Sequence, residues 1–371
     1  MKKKIWMMLL CGALVCLPLG GCGINRADAD TGSVQSEAAS ENKTTKSSNA
    51  EYTSEVFAMD TYMTLTAYGE NAKEAVEAGI AEIQRLDALL STGDANSEVA
   101  QINQNGGGTL SEDTDYLVKR ALAIYQSTQG AFDISIYPVM QLWGFTTGDF
   151  AVPPKEDLDA KLALVNAGRI SLTEDNGVSS ITLPEGMEID LGGIAKGYTS
   201  GRVMEVMKRY GIESAVINLG GNAHVLGSKP DGSAWKVGIQ DPNDTNGYLG
   251  GVSVRDKAII TSGGYERYFV DEATGVKYHH IIDPKTGYSA NNGLISVTIV
   301  SADSTLADGL STSLFVLGTE DAITYCEEHC AEDGFDVIME DEDGKLYITD
   351  GIMDDFINMN NTTNIQEIKT K

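Results

Sequence analysis

The chain has 371 residues, 42% hydrophobic and 22% charged, the composition of an ordinary soluble globular protein with length for one large or two modest cores. Lys and Arg number 27 against 54 Asp and Glu, a formal net charge of −27; a field of that sign repels phosphodiester polymers, so no nucleic-acid partner is expected. The 40 glycines follow no Gly-X-Y period, which excludes collagen and points to tight turns.

The chain opens on Lys2-Lys3-Lys4, an apolar run from Ile5 to Leu17, and Leu19-Gly20-Gly21-Cys22. A basic head, a short apolar middle and small residues before a cut describe an export signal, and the run is too short to span a bilayer of about 30 Å comfortably. The Leu-Gly-Gly-Cys ending resembles a bacterial lipobox, which implies cleavage before Cys22 and a lipid on its sulfur. Residues 1–21 are therefore expected to be a signal peptide. Residues 22–50, polar and nearly without large apolar groups, are expected to form a lipid-anchored flexible tether. The protein is then expected at the bacterial cell membrane, facing the extracytoplasmic side. Residues 51–360 read as one folded unit and 361–371 as a frayed polar tail.

Within that unit, Val56 to Tyr68 reads as an initial strand. Val76, Ile80, Ile83, Leu86 and Leu90 fall at helical spacing, as do Leu117, Ala121 and Ile124 after a Ser111 cap. Asp175-Asn176-Gly177 between two apolar runs signals a hairpin. Further strands are expected at 215–219, 235–240, 251–260, 278–282, 294–300, 336–339 and 346–349. Short Gly, Asn and Asp connections favour an α+β fold with antiparallel sheets and packed helices. Cys326, Cys330 and Ile323 make an apolar stripe on a helix opened by Thr319, which reads as two buried thiols, since that spacing suits a disulfide poorly.

Three segments could carry chemistry. Asp190-Leu191-Gly192-Gly193-Ile194-Ala195-Lys196-Gly197 follows a strand and precedes an apolar helical pattern from Tyr198 to Tyr210, a design that offers N–H groups and partial positive charge to phosphate. Its glycine spacing matches neither a Walker loop nor the dinucleotide fingerprint. By itself it is equally well a structural turn, with Asp190 a helix cap and Lys196 a solvated charge. In Leu306 to Leu314, three leucines make one helix stripe, while Asp308 and Thr312 share another face, where a carboxylate and a hydroxyl suit a hard cation such as Mg²⁺ or simply pair with each other. His279-His280 precede Asp283-Pro284-Lys285-Thr286-Gly287, a turn; a histidine there can be a general base or a structural group.

These segments occur in order with Met59-Asp60-Thr61, Leu90-Ser91-Thr92, Gly130-Ala131-Phe132-Asp133, Asn218-Leu219-Gly220-Gly221-Asn222 and Thr261-Ser262-Gly263-Gly264-Tyr265-Glu266-Arg267. Together they resemble the ApbE family of FAD:protein FMN transferases, over about residues 56 to 350. The resemblance implies an ApbE-like, T-fold-like architecture, FAD as donor, Mg²⁺ as cofactor, and an acceptor protein that takes FMN on a Thr or Ser hydroxyl with release of AMP. It implies that Asp308, Thr312 and the Gly193 carbonyl hold Mg²⁺. Met59, Ala131, Phe132, Asp133, Asp190, Lys196 and the backbone near Ile282 would line the FAD site, and His280 would take the acceptor proton. The aromatic residue that the family often carries after Ser-Thr is here Gly93. Two other functions fit the same residues: an Mg²⁺-dependent FAD pyrophosphatase giving FMN and AMP, and a non-catalytic flavin-binding lipoprotein.

Overall fold

The computed structural model describes residues 50–244, 246–360 and 362–371, so the expected signal peptide, the expected lipidation site Cys22 and nearly all of the expected tether lie outside the described residues. None of the described helices is long and apolar enough to cross a membrane. The framework is a nine-stranded sheet in the order Glu51–Ala58, Thr61–Tyr68, Ser214–Leu219, Asn222–Gly227, Ala258–Gly263, Leu294–Ser301, Phe335–Asp341, Leu346–Thr349, Ile365–Ile368. Every neighbouring pair is antiparallel except the last, which is parallel.

The helices are α1 (Ala72–Leu90), α2 (Glu98–Asn105), α3 (Glu112–Ser127), α4 (Tyr137–Leu142), α5 (Lys155–Leu162), α6 (Gly192–Arg209), α7 (Ser304–Leu317) and α8 (Thr319–Asp333). Strand alternation sorts the sheet's side chains into two cores. Val337 and Met339 pack with α7 and α8, whereas Ile338, between them, packs with Trp235 and Val252 of a second sheet. That sheet has three strands, Phe356–Asn358, Tyr248–Val254 and Trp235–Gln240. A separate apolar cluster, with Trp143, Phe145 and Leu158 at its centre, supports the hairpin Tyr268–Val270/Lys277–His279.

The Asn176-Gly177 hairpin forms as expected between Ser171–Asp175 and Val178–Thr182, with φ of 51° and 79° at its two turn residues. Cys326 and Cys330 are buried free thiols on α8. Four expectations change. The strand from Val56 to Tyr68 is a hairpin, because Met59 and Asp60 both take left-handed backbone, φ 48° and 59°, which non-glycine residues rarely signal. The strand 251–260 breaks at Asp256, φ 50°, and its two halves join different sheets. The helix expected from Tyr198 begins at Gly192, so the glycine turn is its first turn. The expected frayed tail carries Ile365–Ile368, whose backbone pairs with Leu346–Thr349 and whose Ile368 is buried.

Candidate active site

Glycine brings the two central helices together. A Cβ at Gly197 would run into the Ser304 carbonyl and stand 2.5 Å from Asp308 Cβ, and one at Gly201 would stand 2.9 Å from Ser304 Oγ. Small residues at this crossing therefore let the α6 backbone touch α7, and the order of contacts shows the helices antiparallel. One turn beyond the Gly197–Asp308 contact, α6 carries Gly193 and α7 carries Thr312. The Asp308 carboxylate is buried, accepting from Gly197 N at 2.7 Å and from Asn222 Nδ2 at 3.1 Å. Asn222 comes from the Asn218–Asn222 turn, so that segment enters the site as well. The Thr312 hydroxyl lies 3.4 Å from Ser262 Oγ.

The start of α6 is tied to the 131–134 segment. Asp190 N donates to the Ile134 carbonyl at 2.8 Å, and Asp190 Oδ1 accepts from Gly192 N at 2.7 Å. The Phe132 ring lies over Gly193, where a Cβ would stand 2.9 Å from its edge. Asp133 faces inward: its carboxylate accepts from Ser135 N at 2.8 Å, Ser135 Oγ at 2.6 Å and Ala167 N at 3.1 Å, so its side chain holds the turn, and only its backbone is left for a ligand. Met59 is held in its left-handed conformation by a bond from its N–H to Asp87 Oδ1 at 3.1 Å, and its Sδ faces Thr199 Oγ1 at 3.8 Å. A Cβ at Gly93 would meet only Ser91 Oγ, at 3.8 Å, an ordinary van der Waals contact.

Lys196 is the electrostatic centre. Burial raises the carboxyl pKa values of Asp190 and Asp308, and the Lys196 ammonium opposes both shifts. Burial also pushes Glu266 up to about 7, again opposed by Lys196 and reinforced by the Asp308 charge. His280 is driven down to about 3 by burial, with Arg267 and Lys196 adding to the effect, so its imidazole is neutral at pH 7. Glu266 is solvent-exposed and His280 half-exposed, so a ligand can reach both side chains. Glu266 was not singled out from sequence, although its segment belongs to the ordered set. Nothing short of the fold brings a lone carboxylate after Gly263-Gly264-Tyr265 beside Lys196.

His280 follows the hairpin strand Lys277–His279, and its Nδ1 lies 3.2 Å from the Arg267 carbonyl. A carbonyl can only accept, so Nδ1 carries the proton and the lone pair resides on Nε2. Arg267 in turn donates to the Phe145 carbonyl. Ile282 is buried in the Trp143 cluster. Beside Ala131 and Asp283 opens a cavity of about 610 Å³, also lined by Lys285, Asn292 and Leu317. The structure thus gathers Asp190, Gly193, Lys196, His280, Asp308 and Thr312, with Ala131–Asp133 and Met59 packed on the same helix.

The donors expected for Mg²⁺ are one carboxylate, one hydroxyl and one carbonyl, all hard oxygens of the kind this ion prefers. Among the described residues no three His, Cys, Asp or Glu side chains converge into a metal cluster, so such an ion would draw on neutral donors and substrate oxygens, which is usual for Mg²⁺. Gly197 N, whose ordinary helical acceptor is the Gly193 carbonyl, donates to Asp308, which is consistent with lone-pair capacity at that carbonyl. The residues fit the ion.

The family model described as the ApbE family matches residues 59–339. The chain belongs to the ApbE family. It is 32% identical over 324 residues to a Treponema pallidum protein named FAD:protein FMN transferase, covering 82% of this chain and 88% of that one. A Klebsiella pneumoniae protein of the same name is 38% identical over 242 residues, 64% of this chain and 74% of its own. Among solved structures, the ApbE protein of Thermotoga maritima superposes with a TM-score of 0.75 at 31% identity, covering 81% of this chain and 98% of that one. The flavin transferase ApbE of Vibrio cholerae gives 0.70 at 30% identity, covering 81% and 97%. The α+β fold expected from sequence is the fold of these ApbE structures.

Proposed function

We propose that the protein is an Mg²⁺-dependent FAD:protein FMN transferase. It moves FMN from FAD to a Thr or Ser hydroxyl of an exported or membrane acceptor protein and releases AMP. The observation that carries this reading is the meeting of Asp190, Lys196, Asp308 and His280 in one cleft at the N-terminus of an 18-residue helix.

An acidic protein that binds a diphosphate needs a local reversal of potential. Lys196 and the positive end of the α6 dipole supply part of it. Held by Asp308, Thr312 and the Gly193 carbonyl, Mg²⁺ would neutralise diphosphate charge. Met59 and the backbone of Ala131–Asp133 line the dinucleotide, with Ile282 closing the side next to His280. The His280 Nε2 lone pair accepts the proton of the acceptor hydroxyl as its oxygen bonds to the FMN-side phosphorus. The bond from that phosphorus to the bridging oxygen breaks, and AMP leaves with it. Glu266, beside Lys196, adds a third carboxyl group, after Asp190 and Asp308, that acts on the ammonium. The lipid anchor at Cys22 would hold this cleft at the extracytoplasmic face of the membrane, within reach of acceptors there.

The test is incubation with FAD, Mg²⁺ and a candidate acceptor, followed by in-gel flavin fluorescence and mass measurement of the acceptor. Acceptor-bound FMN with stoichiometric AMP is expected. Free FMN and AMP with an unmodified acceptor would make the protein a pyrophosphatase, and intact FAD after long incubation would make it a binding protein.

A further inference from the structure

On the face of the nine-stranded sheet opposite α6 and α7, two buried side chains each leave a polar atom without a partner. Glu340 is 4% exposed and its Oε2 makes no hydrogen bond; Ser296 is 1% exposed and its Oγ makes none. The two residues are directly paired across neighbouring antiparallel strands, so their side chains leave the sheet on the same face. Val297 and Met339, the next residues, face the helices, which puts Ser296 and Glu340 under the three-stranded sheet.

The turn that follows Trp235–Gln240 comes down on this point. Asn243 Nδ2 approaches Glu340 Oε1 at 3.5 Å, and Asp241 Oδ1 shapes the turn by accepting from Asn243 N at 2.8 Å and Asp244 N at 3.3 Å. From the other side Gly344 leaves space, since a Cβ there would still be 4.0 Å from Glu340 Oε1. The charges that act on Glu340 come from Asp241 and Asp341 and are both negative; with burial they push its pKa up to about 7. Asp341 is committed to its own hairpin, accepting from Asp343 N at 3.0 Å, Lys345 N at 2.9 Å and Tyr347 Oη at 2.9 Å.

An orphaned carboxylate oxygen and an orphaned hydroxyl are costly as they stand, and each, like the Asp241 carboxylate on the covering turn, is a hard oxygen donor. We infer that Glu340, Ser296 and the Asp241–Asn243 turn form a binding site for a divalent cation of the Ca²⁺ type, separate from the transferase cleft. Rotation of the Asn243 amide turns its Oδ1 towards Glu340, and water completes the shell. Mixed carboxylate, amide and hydroxyl oxygens in irregular geometry suit Ca²⁺ better than Mg²⁺. Only two charged ligands contribute, so the affinity belongs to the weak, extracellular range, a dissociation constant of roughly 10⁻⁴–10⁻³ M. The cation would clamp the 241–244 turn onto the main sheet and so fix the three-stranded sheet over its core.

The test is thermal unfolding of the purified chain, without FAD, over a Ca²⁺ titration at constant ionic strength. The wild type is expected to gain about 2 °C in Tm at ten times the dissociation constant. Glu340→Gln should lose that gain, start at or above the wild-type Tm in Ca²⁺-free buffer, and keep wild-type FMN transfer at saturating FAD and Mg²⁺. Asp241→Asn, on an exposed turn, should shift the Ca²⁺ midpoint upward about tenfold even if the Glu340 variant does not fold. Asp308→Ala should keep the full Ca²⁺ response. A wild type that shows no Ca²⁺-dependent gain, a gain that survives in both Glu340→Gln and Asp241→Asn, or one abolished by Asp308→Ala would each overturn the site.

Discussion

The α6–α7 crossing and the hairpin that leads to His280 face one cleft but are built in opposite ways. At the crossing, backbone meets backbone through Gly197, and Asp308, at 5% exposure, has both oxygens engaged. The hairpin is three residues per strand, exposes Tyr268 and Val270 at 40% and 52%, and rests on the Trp143 cluster. On the proposed reading, the charge that meets the diphosphate is mounted on a close-packed helix crossing, and the group that meets a second protein stands on an open, accessible element. Rigidity is concentrated where electrostatic preorganisation needs it.

Gly197→Ala should break the comparison most completely. The new methyl has no room against Ser304 and Asp308, and prying the helices apart should cost about 3 kcal/mol or more, seen as a lowered Tm together with lost FAD binding. Retention of wild-type Tm would mean that the crossing is softer than described. Asp308→Ala removes the carboxylate while leaving space, so a folded protein without transfer activity at saturating FAD and Mg²⁺ is expected, checked by circular dichroism alongside the flavin-transfer assay.

His280→Asn sharpens the other half of the comparison. FAD binding should persist while single-turnover transfer slows by about 10²–10⁴-fold, the usual worth of a general base. The pH profile carries a sign. Burial, Arg267 and Lys196 hold the His280 pKa down to about 3, so the reactive neutral form is already complete at neutral pH. With Glu266→Gln removing the other group that titrates near 7, the transfer rate should therefore stay level from about pH 8 to about pH 5 and decline only as pH falls towards the folded value of His280; a midpoint near the ordinary histidine pKa of about 6.5 in that background would mean a solvated ring.

The smallest effect is expected from Asp87→Ala. It deprives Met59 N–H of its acceptor in a turn that two non-glycine residues hold in left-handed backbone. The FAD KM should rise about fivefold with kcat nearly unchanged, the worth of one hydrogen bond. A drop in kcat instead would assign the turn a part in the chemical step.

Periodicity located the main elements well wherever a local pattern was strong. The spacing of Val76 to Leu90 matches α1, and Asn176-Gly177 marks its hairpin by turn chemistry alone. Failures fall where alternation runs unbroken through a turn, as at Met59-Asp60, or where a short segment depends on a partner strand, as at Ile365–Ile368. The face that Asp308 and Thr312 share is packed between helix and sheet, since α7 is buried on nearly all sides. Amphipathicity cannot announce a helix whose polar face is covered by another helix.

By itself, the order of short motifs carried the family and the names of most of the residues the structure gathers, because each motif is local in the chain and its chemistry belongs to residue type. Only the tertiary structure decided that Lys196 stands among Asp190, Glu266, His280 and Asp308, that Asp133 turns inward, and that Glu340 and Ser296 lie orphaned under the second sheet. Those are facts of distance between residues far apart in sequence, and burial and charge coupling exist only once packing has set that distance.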